Sequence, residues 1–110
     1  MHEMRLHDSP FTLIKNGSKT IELRLNDEKR SIIKIGDHIE FTNRVTEEKV
    51  LVEVINLHKY NSFEELYKHF DKVSMGYSED EDADPKDMEQ YYSKEEQDKY
   101  GVVGIEIKLV

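Results

Sequence analysis

The chain has 110 residues, enough for one domain with one core, and it has no cysteine for a disulfide or a thiolate metal site. Its hydrophobic fraction is low at 36%, its charged fraction is also 36%, and no stretch approaches the roughly 20 apolar residues that span a bilayer. The first residues lack the apolar run of a signal peptide, so we expect a single domain over residues 1–110, located in the cytoplasm and without membrane contact.

The net charge of −8 is unevenly distributed along the chain. Residues 79–98 contain ten acidic residues and two lysines, which leaves the rest of the chain neutral. Within that remainder, residues 15–34 carry a net charge of +3. An acidic protein is ordinarily a poor partner for nucleic acid, but a separate basic region can still attract a polyanion.

Short helix and strand signals occur in the first half of the chain. Residues 4–6 can form a first strand. A short helix follows, with Ser9 as the expected N-cap, Pro10 as its first residue and Gly17 as its C-terminal stop. Alternating segments rich in β-branched residues predict further strands at residues 38–41, 50–57 and 101–109.

Capping boxes predict two helices in the second half, one opened by Ser62 and Glu65 and one opened by Ser93 and Glu96. Between them, residues 73–90 are acidic and poor in apolar residues, which predicts a surface excursion that could guard a basic cleft. Together the elements predict an α+β fold, a mixed β-barrel of about five to six strands with two or three short flanking helices. A strand at each end of the chain suggests that the termini close the barrel.

The strand predicted at residues 20–25 carries the most specific chemical pattern. Its period of two directs the apolar residues toward the core, namely Ile21, Leu23 and Leu25. Thr20, Glu22 and Arg24 share the other face, and Lys19 stands just before the strand. Lysine and arginine donate to carbonyl or phosphate oxygens, and a carboxylate accepts from amino groups. A glutamate between two cations should stay ionised with a lowered pKa. A solvated strand face would also give this pattern.

The segment Gly17-Ser18-Lys19-Thr20-Ile21-Glu22-Leu23-Arg24 and the later turn Lys34-Ile35-Gly36-Asp37 resemble the ASCH domain family. The likeness continues through residues 62–66, Tyr91-Tyr92-Ser93 and residues 100–105, so it covers nearly the whole chain. The resemblance implies a PUA-like β-barrel with a cleft, and an association with RNA binding or with enzymes that act on modified nucleosides. It also implies that the motif lines the cleft, here with Lys19, Thr20, Glu22 and Arg24.

One branch of that family consists of small amidohydrolases that deacetylate N4-acetylcytidine. The branch uses a lysine that matches Lys19 and a threonine nucleophile at the position of Glu22, two residues after Thr20. A carboxylate cannot form the same acyl-enzyme ester, so catalysis would need Glu22 as a general base or Thr20 as a displaced nucleophile. We therefore expect a binding module for RNA or a nucleotide, with the amidohydrolase as the alternative and Lys19, Thr20 and Glu22 as its catalytic candidates.

Aromatic and basic residues complete the expected ligand site. One ring of Tyr91 and Tyr92 is expected to pack on the following helix and the other to stack on a base, while Arg30 can contact a phosphate. The expected binding residues are thus Lys19, Glu22, Arg24, Arg30, Tyr91 and Tyr92. The histidines and the acidic run at residues 79–84 lack metal-ligand spacing, so we expect neither a metal nor a cofactor. An interaction domain that recruits a basic partner, and the oligomeric state, stay open.

Overall fold

The computed structural model describes residues 1–110 and contains a five-stranded sheet with short helices around it. The strands are β1 (His2–Leu6), β2 (Ile21–Leu25), β3 (His38–Asn43), β4 (Lys49–Tyr60) and β5 (Val102–Leu109). The helices are α1 (Asp8–Lys15), α2 (Phe63–Tyr67) and α3 (Lys94–Tyr100), with a 3-10 helix at Pro85–Gln90. The expected α+β fold is confirmed. None of the helices has both the length and the apolar character needed to cross a bilayer.

The sheet is curled and open on one side. Its order is β1-β3-β4-β5-β2, with β1 parallel to β3 and the other neighbours antiparallel. The expectation that the terminal strands close the barrel is wrong, because β5 lies between β4 and β2 while β1 lies at the far edge. The two edge strands β1 and β2 are linked by a side-chain hydrogen bond, in which Arg24 Nη2 donates to the Arg5 carbonyl at 3.4 Å. The half-barrel therefore has a seam between β1 and β2.

The core consists of two clusters of buried apolar residues. The larger cluster includes α1, which inserts Phe11 and Ile14 against the sheet. The smaller one joins β2 and α2, and its members are Ile21, Leu23, Leu25, Phe63, Leu66, Met75 and Val102. The period of two in β2 therefore identifies its core-facing residues correctly.

Helix α1 begins earlier than the sequence predicts. Its first residue is Asp8, and the N-cap is His7 without a side-chain cap, so the prediction of Ser9 as N-cap is wrong. Proline has no N–H, and the N–H groups of the whole first turn lack helical partners, so Pro10 fits at the third position as well as at the first. The C-terminal end agrees with the prediction, because Gly17 follows the C-cap with a φ of 87°.

The acidic segment at residues 73–90 is only partly a surface excursion. Its central residues, from Ser78 to Asp84, are exposed, but Met75 is buried in the smaller core cluster. The Ser74 carbonyl accepts hydrogen bonds from the backbone N–H groups of Thr20 and Ile21, each at 2.9 Å. The start of this segment is therefore fixed against the beginning of β2.

Candidate functional site

A cavity of about 390 Å³ lies at the seam between β1 and β2. One wall comes from these two edge strands, with Arg5 and Leu6 on β1 and Glu22, Leu23 and Arg24 on β2. The opposite wall comes from the acidic segment and the residues after it, namely Met75, Gly76, Tyr77, Glu81, Asp87, Met88, Gln90, Tyr91 and Tyr92. The cavity has the size of a small-molecule site.

Three charged residues of the sequence motif meet in the β2 wall, and we call them the ion triad: Lys19, Glu22 and Arg24. Lys19 Nζ lies 3.2 Å from Glu22 Oε1, and Arg24 Nη2 lies 2.9 Å from Glu22 Oε2. Arg24 Nε also donates to Glu22 Oε2 at 2.9 Å. The side chain of Glu22 is only 4% exposed, and those of Lys19 and Arg24 are 9% and 14% exposed. Both oxygens of the carboxylate are therefore occupied by cations.

The charges of the ion triad are fixed by this arrangement. Burial opposes ionisation of Glu22, but Lys19 and then Arg24 outweigh it, so the pKa of Glu22 lies below its ordinary value. Burial likewise opposes the charge of Arg24, and Glu22 with a smaller contribution from Tyr92 holds the pKa of Arg24 above its ordinary value. At neutral pH Glu22 is therefore negatively charged and Arg24 positively charged.

The structure does not bring Thr20 to the cavity. The N–H groups of Thr20 and Ile21 both donate to the Ser74 carbonyl, whereas successive N–H groups of a regular strand point to opposite sides. The backbone is therefore turned at Thr20, and β2 begins only at Ile21. This turn breaks the alternation that would have placed the Thr20 hydroxyl beside the carboxylate of Glu22.

Arg30 also lies outside the cavity. Its Nη1 pairs with Asp27 Oδ2 at 3.0 Å, within the loop that follows β2. It lines a neighbouring groove instead, which it shares with Arg24. Sequence reasoning placed Arg30 in the ligand site because it is basic and near the motif, but the loop carries it past the cavity.

Tyr91 and Tyr92 both line the cavity but differ in their surroundings. The ring of Tyr92 stacks on Phe63 of α2, with 5.9 Å between centroids and an angle of 24° between planes. The ring of Tyr91 lies at a tilt to that of Tyr92, with 6.4 Å between centroids and 56° between planes, and the residue is 55% exposed. Tyr92 packs on α2 and not on the helix that follows, which differs from the expectation, and Tyr91 is the more exposed of the two rings.

Sequence reasoning missed a hydrogen-bonded group that links the opposite wall to Tyr67 of α2, which also lines the cavity. The hydroxyls of Tyr67 and Tyr77 lie 2.9 Å apart, and Tyr77 donates to Asp87 Oδ2 at 2.8 Å. Burial is the largest cause that raises the pKa of both tyrosines, so both remain protonated donors at neutral pH. Met75 and Tyr77 were the available signal, because large apolar or aromatic residues are unusual in an exposed acidic segment.

Gly76 lies against the ion triad, and alanine at this position should disturb it. Its φ is +108°, and an added Cβ would lie 3.1 Å from Lys19 Cδ. We expect Gly76→Ala to destabilise the protein by about 2 kcal/mol in urea unfolding, from backbone strain and displacement of Lys19. Gly17→Ala is the matched control, because Gly17 also has a positive φ but has no atom within 4 Å of an added Cβ. Equal losses in the two variants would contradict a contact role for Gly76.

Fold and site together define a class of protein: an α+β domain whose half-barrel is open at one seam and holds a charged, aromatic cavity there. The ASCH domain family model matches residues 4–110. The chain therefore belongs to the ASCH domain family.

Solved structures agree with this membership. The chain is 36% identical to hypothetical protein PH0355, whose crystal structure gives a TM-score of 0.78 over 98% of this chain and 97% of that chain. It is 35% identical to protein PF0455 from Pyrococcus furiosus, with a TM-score of 0.71 over 99% of this chain and 96% of that chain. A mutant ASCH protein from Zymomonas mobilis shares the fold at 12% identity, with a TM-score of 0.66 over 96% and 67%. Among curated proteins, none matches this sequence significantly.

Proposed function

We propose that this ASCH domain binds RNA or a nucleotide in the cavity at the seam. The observation that carries the proposal is one cavity lined by both the ion triad and the exposed ring of Tyr91. Cations suit the phosphate and carbonyl oxygens of a nucleotide, and an exposed aromatic ring suits its base. This combination in a site of nucleotide size favours a nucleotide over an apolar ligand.

The ion triad supports tight binding because its donors are already held in place. Lysine has three N–H donors and arginine five, so Lys19 and Arg24 keep unused donors after their contacts with Glu22. Ordering a long side chain on binding costs about 1 kcal/mol, and this cost has been met in the folded protein. At the cavity mouth, the exposed Arg5 and Arg44 add two cations for a phosphate.

The opposite wall supplies groups that suit a base. The ring of Tyr91 can stack on it, a contact worth about 1–3 kcal/mol for each base. Gln90 offers both a donor and an acceptor, and Asp87 offers an acceptor for an exocyclic amino group. These groups fit the edges of an unpaired base, which RNA presents in single-stranded segments.

The geometry gives less support to the amidohydrolase alternative. A general base needs a free oxygen and a pKa near the working pH, but both oxygens of Glu22 contact cations and its pKa is lowered. Thr20, the displaced nucleophile considered above, does not line the cavity. We therefore expect no release of cytidine from N4-acetylcytidine at high enzyme concentration. Turnover of N4-acetylcytidine by the wild type, together with its loss in Lys19→Ala, would instead support the amidohydrolase alternative.

Substitutions of Tyr91 test the proposed stacking contact. We expect Tyr91→Ala to weaken binding of a short single-stranded RNA about tenfold in fluorescence anisotropy, because the stacking surface is lost. Tyr91→Phe is the matched control and should bind like the wild type, since stacking uses the ring and not the hydroxyl. Unchanged affinity in Tyr91→Ala would contradict a base at this ring.

A further inference from the structure

A second groove of about 400 Å³ runs beside the cavity along β1 and is lined almost only by polar residues. We call it the basic groove, because six of its nine lining residues are cations: Arg5, Arg24, Lys29, Arg30, Arg44 and Lys49. The other three are Glu3, Met4 and Thr42. The cations come from β1, β2, the loop after β2 and the connection and strand that follow β3. In a chain with a net charge of −8, this concentration of cations on one surface needs an explanation.

The basic groove adjoins the cavity. Arg5, Arg24 and Arg44 line both of them, so the two spaces share these three side chains as a common border. Arg24 is the central residue of this junction, because it belongs to the ion triad and also reaches the Arg5 carbonyl across the seam. A ligand that contacts these arginines from the cavity is therefore next to the cations of the basic groove.

Four of the six cations of the basic groove are exposed and available to a ligand, namely Arg5, Lys29, Arg44 and Lys49. Lys29 and Arg44 form no ion pair within 4.0 Å. Arg5 and Lys49 pair with Glu47 and Glu40, but their side chains are 52% and 58% exposed.

Exposed pairs of this kind contribute little to stability, so a phosphate can replace the carboxylate at small cost. Arg30 pairs with Asp27 through Nη1, and its side chain is 18% exposed, so it contributes charge to the groove more than free donors.

We propose that the basic groove holds the phosphodiester backbone of a single-stranded polynucleotide, one nucleotide of which occupies the cavity. This inference rests on the proposed function and narrows its ligand from RNA or a nucleotide to a single-stranded oligonucleotide. A nucleoside has no phosphate and a nucleoside monophosphate has one, so neither would use cations spread over five segments. The strand is single because the base in the cavity must be unpaired.

A length series tests the basic groove against the cavity. Binding of a ribonucleoside monophosphate and of a hexanucleotide RNA is measured by isothermal titration calorimetry at several salt concentrations. We expect the hexanucleotide to bind more tightly, with the logarithm of its affinity falling by about 0.7 per phosphate contact for each decade of salt. Lys29→Ala with Lys49→Ala should lower the hexanucleotide affinity about tenfold and reduce that slope by about 1.4.

The matched control is Lys34→Ala with Lys59→Ala, since both lysines are exposed and line neither space. It should leave the affinity and the slope unchanged. If the double variant of Lys29 and Lys49 keeps the wild-type affinity and salt slope, the basic groove does not bind the backbone. If Tyr91→Ala still weakens binding in the same assay, the cavity remains the binding site. Absence of binding by both ligands would overturn the proposed function as well. The double variant of Lys29 and Lys49 should also lose affinity for a DNA hexanucleotide, because DNA has the same phosphates. A loss of affinity for RNA alone would contradict a contact between these lysines and phosphates.

Discussion

Glu22→Gln is expected to lower the free energy of unfolding by about 3 kcal/mol, because it leaves two buried cations without a counter-charge. Glu22 is the common partner of Lys19 and Arg24, and all three side chains lie largely out of solvent. Glutamine has nearly the same shape, so the loss reports the charge and not the packing. Urea unfolding monitored by circular dichroism measures it.

The control for this prediction is Glu53→Gln, which breaks the exposed pair of Glu53 with Lys108. An exposed ion pair contributes at most about 1 kcal/mol, so Glu53→Gln should change stability little. If Glu22→Gln proves as harmless as Glu53→Gln, Glu22 does not hold the triad together.

The acid side of the stability profile follows from the lowered pKa of Glu22. Its folded-state pKa lies below the unfolded value of about 4.3, so its stabilising contribution is complete above that value and is lost as the pH falls toward the folded-state pKa. We expect Glu22→Gln to flatten this loss of stability below about pH 5. Asp37, whose pKa is lowered by His2 and the Lys34 backbone, leaves a residual slope. Parallel acid profiles in wild type and variant would contradict the lowered pKa.

Removal of both cations of the ion triad is expected to have the largest effect on binding. Lys19→Ala with Arg24→Ala should weaken binding of a short single-stranded RNA at least about a hundredfold, because each charge-assisted hydrogen bond is worth about 1.5–3 kcal/mol. The same double variant leaves Glu22 buried without a cation. Burial, which raises the pKa of this carboxyl, is then no longer opposed.

A triple variant separates lost contacts from lost folding. Adding Glu22→Gln to the double variant removes the unpaired buried charge, so stability should recover in part while RNA binding stays weak. Fluorescence anisotropy and urea unfolding of the same preparations measure both properties. RNA binding near the wild-type level in a folded triple variant would show that the triad is not the cationic wall of the site.

Local patterns in the sequence predict the local structure well. The period of two in β2 identifies Ile21, Leu23 and Leu25 as core residues, and all three are buried. The capping box at Ser93 and Glu96 is present with both of its hydrogen bonds. At Ser62 only the side-chain cap forms, because the carboxylate of Glu65 contacts Lys68 instead. Side chains near one another in sequence therefore follow local rules, except where a competing partner exists.

The candidate site depends on contacts that local patterns do not contain. Alternation places Glu22 opposite the core but does not say that residues 73–77 will cover that face. Nor does it show that the Ser74 carbonyl will turn the backbone at Thr20. The opposite wall of the cavity comes from a segment that is acidic in composition. The composition of the whole segment predicts exposure and does not reveal that Met75 is buried and that Tyr77 is hydrogen-bonded. Contacts between segments that are far apart in the sequence determine these features.

The most direct test of the central claim is an NMR titration of the ¹⁵N-labelled wild-type protein with a short single-stranded RNA at low salt. The claim that the seam cavity is the ligand site predicts saturable shift changes centred on the amides of Lys19, Glu22, Arg24 and Tyr91, which weaken as salt is raised. No shift changes at low salt, or changes confined to residues outside the cavity and the basic groove, would contradict it.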